Sequence, residues 1–138
     1  MIAVVDIDGV LADAGHRQHF LDGRPKDWPA FFAAVGGDTV IADGRDLVAR
    51  LAVDHDVVLL SGRPESTRAD TEEWLRANGV AFARLVLRPD ADRRPARRFK
   101  GQALRRLGTP EEVAVVVDDD PTVVEEITRI GYRAMLFP

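Results

Sequence analysis

Five short runs rich in valine, isoleucine and leucine recur along the chain, at Ile2–Ile7, Asp56–Leu60, Arg84–Leu87, Glu112–Val117 and Tyr132–Phe137. Most lack the strict alternation of a half-exposed strand, so they read as strands covered on both faces. Helical patterns separate them. Leu47, Val48 and Leu51 mark a helix over Gly44–Val53. A second is expected over Pro64–Asn78, opening on a first-turn proline, closing at Gly79, and turning Trp74 and Leu75 inward. Phe99–Leu107 stops at Gly108, and Pro121–Ile130 stops at Gly131. Strands alternating with helices in this way predict a parallel, doubly wound α/β sheet. Residues 13–43 break the alternation. They hold Trp28, Pro29, Phe31 and Phe32, a short helix expected near Asp27, and a Gly-Gly turn. This insert is too small for a separate domain and reads as a flap over the end of the first strand.

At 138 residues the chain fits one domain, residues 1–138, with a real core. Its 46% apolar and 30% charged composition is that of a globular protein. The absence of cysteine excludes a disulfide framework and a thiolate metal site. No apolar run approaches the length of a membrane span and the first residues carry no export signature, so the expected setting is cytoplasmic, without a membrane partner. Net charge is −4, which gives no overall pull towards nucleic acid. Arginines nonetheless crowd the stretch from Arg84 to Arg106, and only Lys26 and Lys100 are lysines. Such a bias reflects genome composition, so arginine number carries little weight and a lysine stands out.

Candidate chemistry gathers at the C-terminal ends of the predicted strands, where open α/β sheets place their ligands. Asp6 and Asp8, spaced i and i+2 and followed by Gly9, project from the same side of a strand end. Two carboxylates so placed need a cation between them or a shared proton. One can attack phosphorus and the other can move protons. The alternative, an EF-hand loop, fails because the glycine comes fourth and not sixth. Ser61-Gly62-Arg63-Pro64 closes the second strand, where a hydroxyl, exposed N–H groups and a guanidinium suit an anion. A plain turn capped by serine is the competing reading. Lys100 could hold a carboxylate and a phosphate together as a point charge. Asp118, Asp119 and Asp120 close a strand of valines; Asp120 reads as the cap of the helix at Pro121, while Asp118 and Asp119 call for a cation such as Mg²⁺.

The order Asp-x-Asp-Gly, Ser before Gly-Arg, Lys, then an Asp pair resembles the haloacid dehalogenase superfamily of phosphatases, over nearly the whole chain. The resemblance implies a Rossmann-like three-layer α/β/α fold with five parallel strands in the order 5-4-1-2-3. It implies Asp6 as nucleophile, Asp8 as general acid/base, and Ser61 and Lys100 as phosphate binders. It also implies Mg²⁺ held by Asp6, the Asp8 main-chain carbonyl and Asp118, with Asp119 supporting the metal or its waters. A narrower similarity, carried by Ser61-Gly62-Arg63, Thr71 to Leu75, Leu87-Arg88-Pro89, Asp92 to Lys100, and Asp118 to Gly131, is to the phosphatase domain of phage-type polynucleotide kinases. It adds Gly62, Arg63 and Arg88, and then Asp92 and Arg94, as residues touching substrate or the catalytic groups. It implies a substrate among 3′-phosphate ends of nucleic acid or nucleotides. No G-x-x-x-x-G-K-[ST] segment occurs in these 138 residues, so no P-loop kinase is expected within them.

Three other readings stand beside this one: a small phosphate ester as substrate, a receiver domain that accepts a phosphoryl group stoichiometrically, and a scaffold that binds phosphate without turnover. His16, Arg17 and His19 read as surface helix residues, with contact to the substrate as the alternative. Trp28, Phe31 and Phe32, at i, i+3 and i+4, read as a packing stripe, with base stacking as the alternative. The sequence leaves the oligomeric state open.

Overall fold

The computed structural model describes residues 1–138, and its centre is a five-stranded parallel sheet. In chain order the strands are β1 (Ile2–Val5), the short β2 (Ala12–Asp13) and β3 (Thr39–Val40), β4 (Asp56–Pro64), β5 (Arg84–Arg88), β6 (Val113–Asp118) and β7 (Ala134–Leu136). The central sheet runs β5-β4-β1-β6-β7, while β2 and β3 pair antiparallel by themselves. The labels therefore differ from the expected 5-4-1-2-3 count because the flap contributes a two-stranded pair that the sequence pattern did not announce. The helices are α1 (Trp28–Ala33), α2 (Ala42–Asp54), α3 (Arg68–Ala77), α4 (Ala96–Leu107) and α5 (Pro121–Arg129).

Strand pleat sorts the core into two halves. Val5, Val57, Leu59 and Val117 point to the face covered by Val48 of α2 and by Trp74 and Leu75 of α3. Val4, Val58, Leu60 and Val116 point to the other face, against Phe99 and Leu104 of α4 and Val123 and Ile127 of α5. The sheet is apolar on both faces because both are covered, which is why alternation was missing from the sequence. Each fully buried Val or Leu contributes about 1.5–3 kcal/mol. No helix is long and apolar enough to cross a membrane.

One element starts later than its sequence signals suggest. Pro64 does not open a helix: β4 continues to it, Pro64 pairs with Arg88, and the register shifts between Leu60 and Pro64. A 3₁₀ turn over Glu65–Thr67 follows, and α3 begins at Arg68. A proline fits a strand end as readily as a first helical turn, so the signal was ambiguous. By contrast, Asp27 and Asp120 cap α1 and α5, their side chains accepting from the Ala30 and Thr122 amides.

The loop that carries the acidic motif is fixed by close backbone packing. The Ile7 carbonyl accepts from the amides of Val10, Leu11 and Ala12, and the Leu11 carbonyl accepts from Ile41 just before α2. Gly44 of α2 rests on this loop: a Cβ there would lie 1.7 Å from the Val10 carbonyl oxygen. Gly44→Ala should therefore lower stability by about 1–3 kcal/mol, read as a fall in Tm. Gly36→Ala, where a Cβ would meet nothing within 4 Å, should stay within about 0.5 kcal/mol of the parent. Equal Tm values for the two variants would contradict this account of the loop.

Candidate active site

Asp6 stands directly after β1, and its amide donates to the Val117 carbonyl of β6 at 2.9 Å. That bond brings the ends of β1 and β6 level and sets Asp6 beside Asp118. Both are buried, as is Lys100 of α4. Lys100 Nζ lies 2.9 Å from Asp6 Oδ1 and 2.6 Å from Asp118 Oδ2. The other Asp118 oxygen accepts from the Asp120 amide at 2.9 Å. Asp119, exposed at the rim, completes a group of three carboxylates whose nearest oxygens all lie within 4.8 Å of one another. Gly9 makes this approach possible. Its φ is +84°, and a Cβ there would lie 1.8 Å from Asp119 Oδ2. The glycine of the acidic motif is thus explained by its turn and by its neighbour.

Three carboxylates face one ammonium. Burial holds the Asp6 pKa well above the ordinary carboxylate value; Lys100 opposes the shift, and Asp118 and Asp8 add to it. Asp119 is raised too, by desolvation and then by Asp118. For Lys100 burial works against the charged form, but Asp6 and Asp118 outweigh it and its pKa rises. The ammonium is therefore permanent, and the excess negative charge has no protein partner. A set of hard carboxylate oxygens at this spacing fits a small divalent cation such as Mg²⁺.

Asp8 is held differently. Arg17 Nη2 donates to Asp8 Oδ1 at 2.9 Å, and Arg63 donates through Nη2 to Oδ1 at 2.8 Å and through Nε to Oδ2 at 3.1 Å. Both guanidiniums also bind Asp38: Arg17 at 2.8 and 2.9 Å, Arg63 at 2.9 Å. Asp38 accepts further from His16 at 2.7 Å, and its carbonyl accepts from Trp74 Nε1 at 2.8 Å. Arg17 lies over the Phe31 ring, 4.3 Å from its centroid. Two buried arginines and one buried aspartate thus fix a fourth charged group that remains 38% exposed. Arg17 is fully buried, which corrects the surface reading. The signal available in the sequence was that Arg17 is the only arginine or lysine among the first 23 residues, opposite two aspartates. Asp38 carried no local signal; only the fold brings it there.

The remaining expected residues divide. Gly62 lines the cavity of about 590 Å³ that contains Asp6, Asp8, Lys100 and Asp118. Ser61 is fully buried behind it, its Oγ accepting from the Arg63 amide at 3.1 Å. Arg63 spends its donors on Asp8, Asp38 and Thr71, so it grips a carboxylate and leaves no fork for a phosphate. Arg88 stacks over Phe99 at 5.1 Å, with its buried Nε unpartnered. A second groove of about 880 Å³ meets the cavity at Gly62 and runs between α1 and the ends of β4 and β5, past Trp28, Phe32 and Arg88. Asp92 lies in that groove, paired with Arg94 at 2.6 Å, away from the carboxylate cluster. Trp28, Phe31 and Phe32 pack on one another at 5.3–5.7 Å, yet Trp28 stays 45% exposed. His19 packs on Phe20.

Residues 1–135 match the family described as the phosphatase domain of polynucleotide kinase PNKP. No curated protein sequence matches the chain. Among solved structures, the chain is similar to one from a Pnkp1/Rnl/Hen1 complex, with TM-score 0.82 and 19% identity over 99% of this chain and 45% of that one. A second, from the Pnkp1/Rnl/Hen1 RNA repair complex, has TM-score 0.79 and 22% identity over 99% and 42%. The chain thus spans less than half the length of these two. It also resembles a haloacid dehalogenase family enzyme from Bacteroides thetaiotaomicron in complex with magnesium and inorganic phosphate, at TM-score 0.64 and 14% identity over 99% and 93%. The acidic cluster, the sheet that presents it and the family match agree: the chain belongs to the polynucleotide kinase phosphatase domain family, within the haloacid dehalogenase-type phosphatases.

Proposed function

We propose that residues 1–138 form one Mg²⁺-dependent phosphomonoesterase domain, with residues 13–43 as its flap, acting on phosphate ends of nucleic acid or on nucleotides. The observation that carries this reading is the convergence of Asp6, Asp118 and Lys100 at the floor of the cavity whose rim holds Asp8 and Asp119. Asp6 is the nucleophile: its carboxylate attacks phosphorus in line, and the leaving oxygen departs with a proton from Asp8. Asp8 then takes a proton from water, which hydrolyses the aspartyl-phosphate and returns Asp6. Lys100 neutralises charge on the transferred group while it holds Asp6 in place. Gly62 offers its main chain to the phosphate at the cavity wall, and Ser61 supports it from behind. Asp6, Asp118 and Asp119, with the Asp8 carbonyl, would hold the Mg²⁺, which when bound supplies Lewis-acid stabilisation of phosphoryl oxygens.

Arg17 and Arg63 are positioning residues. They fix Asp8 where a proton can be passed across the cavity, and they tie that carboxylate to the flap through Asp38. The cavity widens past Gly62 into a groove of about 880 Å³, which leaves room at the reacting end for a group larger than a small ester. Similarity to a structure described as an RNA repair complex supports the same substrate class.

Asp6→Asn should lower kcat at least about 10⁴-fold, and a chelator should abolish activity that added Mg²⁺ restores. Undiminished hydrolysis in either case would sink the assignment. Arg17→Lys keeps a charge but gives up the planar fork that spans Asp8 and Asp38. It should lower kcat by about 10–100-fold with KM little changed, since Arg17 does not face the phosphate. A rise in KM at unchanged kcat would place Arg17 in substrate binding instead.

A further inference from the structure

Beside the catalytic cavity, α4 and α5 enclose a second concave surface that the proposed chemistry does not use. It is a groove of about 410 Å³ walled by Arg94, Arg97, Arg98 and Arg105 on one side and by Glu126 and Arg129 on the other. Five guanidiniums share it with one carboxylate, in a chain whose net charge is −4. Two of the five are occupied: Arg94 by Asp92 and Gln102, and Arg129 by Glu126 at 2.5 Å. Arg97, Arg98 and Arg105 are exposed and have no carboxylate partner of their own; the field of Arg97 and Arg98 falls on Glu126, already bound by Arg129. The floor is open because Gly101 presents no side chain towards Ile130, where even a Cβ would come within 3.6 Å of the Ile130 methyl.

The groove and the cavity draw different residues from the same two helices, α4 and α5. Ala96 and Lys100, one turn apart on α4, line the cavity, and Arg97, Gly101 and Arg105 form the next row round the same helix. Pro121 and Val123 of α5 line the cavity, while Glu126 and Arg129 line the groove further along. Arg97, next to the cavity-lining Ala96, is thus about one helix diameter, ~10 Å, round α4 from the cavity, with Arg105 two turns further along. Like charges gathered without partners favour a polyanion, and the guanidinium fork matches phosphate oxygens. Building on the phosphatase reading above, we propose that this groove binds the backbone phosphates of a single-stranded nucleic acid, a few nucleotides back from the end that enters the cavity. The preferred substrate is then an oligonucleotide end and not a mononucleotide, and Arg97, Arg98 and Arg105 set that preference.

The test compares the parent with the triple variant Arg97→Ala/Arg98→Ala/Arg105→Ala, which alters exposed side chains only and whose thermal melt checks the fold. Hydrolysis of a 3′-phosphorylated dodecanucleotide and of a nucleoside 3′-monophosphate is measured across a salt series. The KM for the dodecanucleotide should rise about tenfold, its log–log salt dependence should flatten by about 2, and the monophosphate should change by less than about twofold. An equal loss on both substrates, or an unchanged dodecanucleotide KM, overturns the groove assignment; an acidic protein as the true partner would give the latter. Fluorescence anisotropy of a labelled dodecanucleotide ending in a 3′-hydroxyl separates this inference from the catalytic one, because it needs no turnover. If the parent hydrolyses neither substrate, the phosphatase reading fails. Salt-sensitive binding that is lost in the triple variant would still support the groove, and equal binding by the two proteins would overturn it.

Discussion

Repulsion between carboxylates held at adjacent strand ends organises this molecule. The amide of Asp6 bonded to Val117 leaves no freedom for Asp6 and Asp118 to separate, and burial denies both of them water. Lys100 answers part of that charge, and it can do so only because Phe99 and Leu104 pin α4 to the sheet. Burial, with Asp118 and Asp8 adding to it, holds the pKa of Asp6 well above the usual carboxylate range, and the excess of carboxylates over ammonium suits a cation. An isolated buried ion pair is poor evidence for stability. Here three carboxylates against one ammonium are the kind of imbalance that a divalent ion would relieve.

Asp8 shows a second use of charge. Its partners Arg17 and Arg63, and the Asp38 that both arginines also bind, come from the flap and from β4, and these three are buried. Removing one member would strand an opposite charge, at a cost of about 3–5 kcal/mol. The network therefore couples placement of the proton-carrying group to docking of the flap. Trp74 extends that coupling to α3 by donating to the Asp38 carbonyl. The flap leaves the cavity open past Gly62 into the groove lined by Trp28 and Phe32.

Much of this was legible in the residues because local chemistry dictates it. Valine-rich runs without alternation meant a covered sheet, and Asp6, Asp8, Lys100, Asp118 and Asp119 each stood at a strand end or helix start that foretold their meeting. Pro64 misled because the same residue suits a strand end and a helix start. Arg17 was read as a surface group because its carboxylate partners, Asp8 and Asp38, are 9 and 21 positions away, and nothing in the local pattern distinguishes a buried guanidinium from an exposed one. Arg63 was read as touching a phosphate or the catalytic groups, and its bonds to Asp8, Asp38 and Thr71 fit the second of these. The role of Gly9 needed both the turn and Asp119 to be seen together. Long-range pairing of charges is the information a single sequence conceals most.

The claim that Asp6 carries the phosphoryl group can be tested on the protein directly. A single turnover with labelled 3′-phosphorylated oligonucleotide, quenched in acid and digested, should leave transient label on the peptide bearing Asp6, sensitive to hydroxylamine as an acyl phosphate is. Label on any other residue, or complete turnover with no labelled enzyme at any time, would contradict the account.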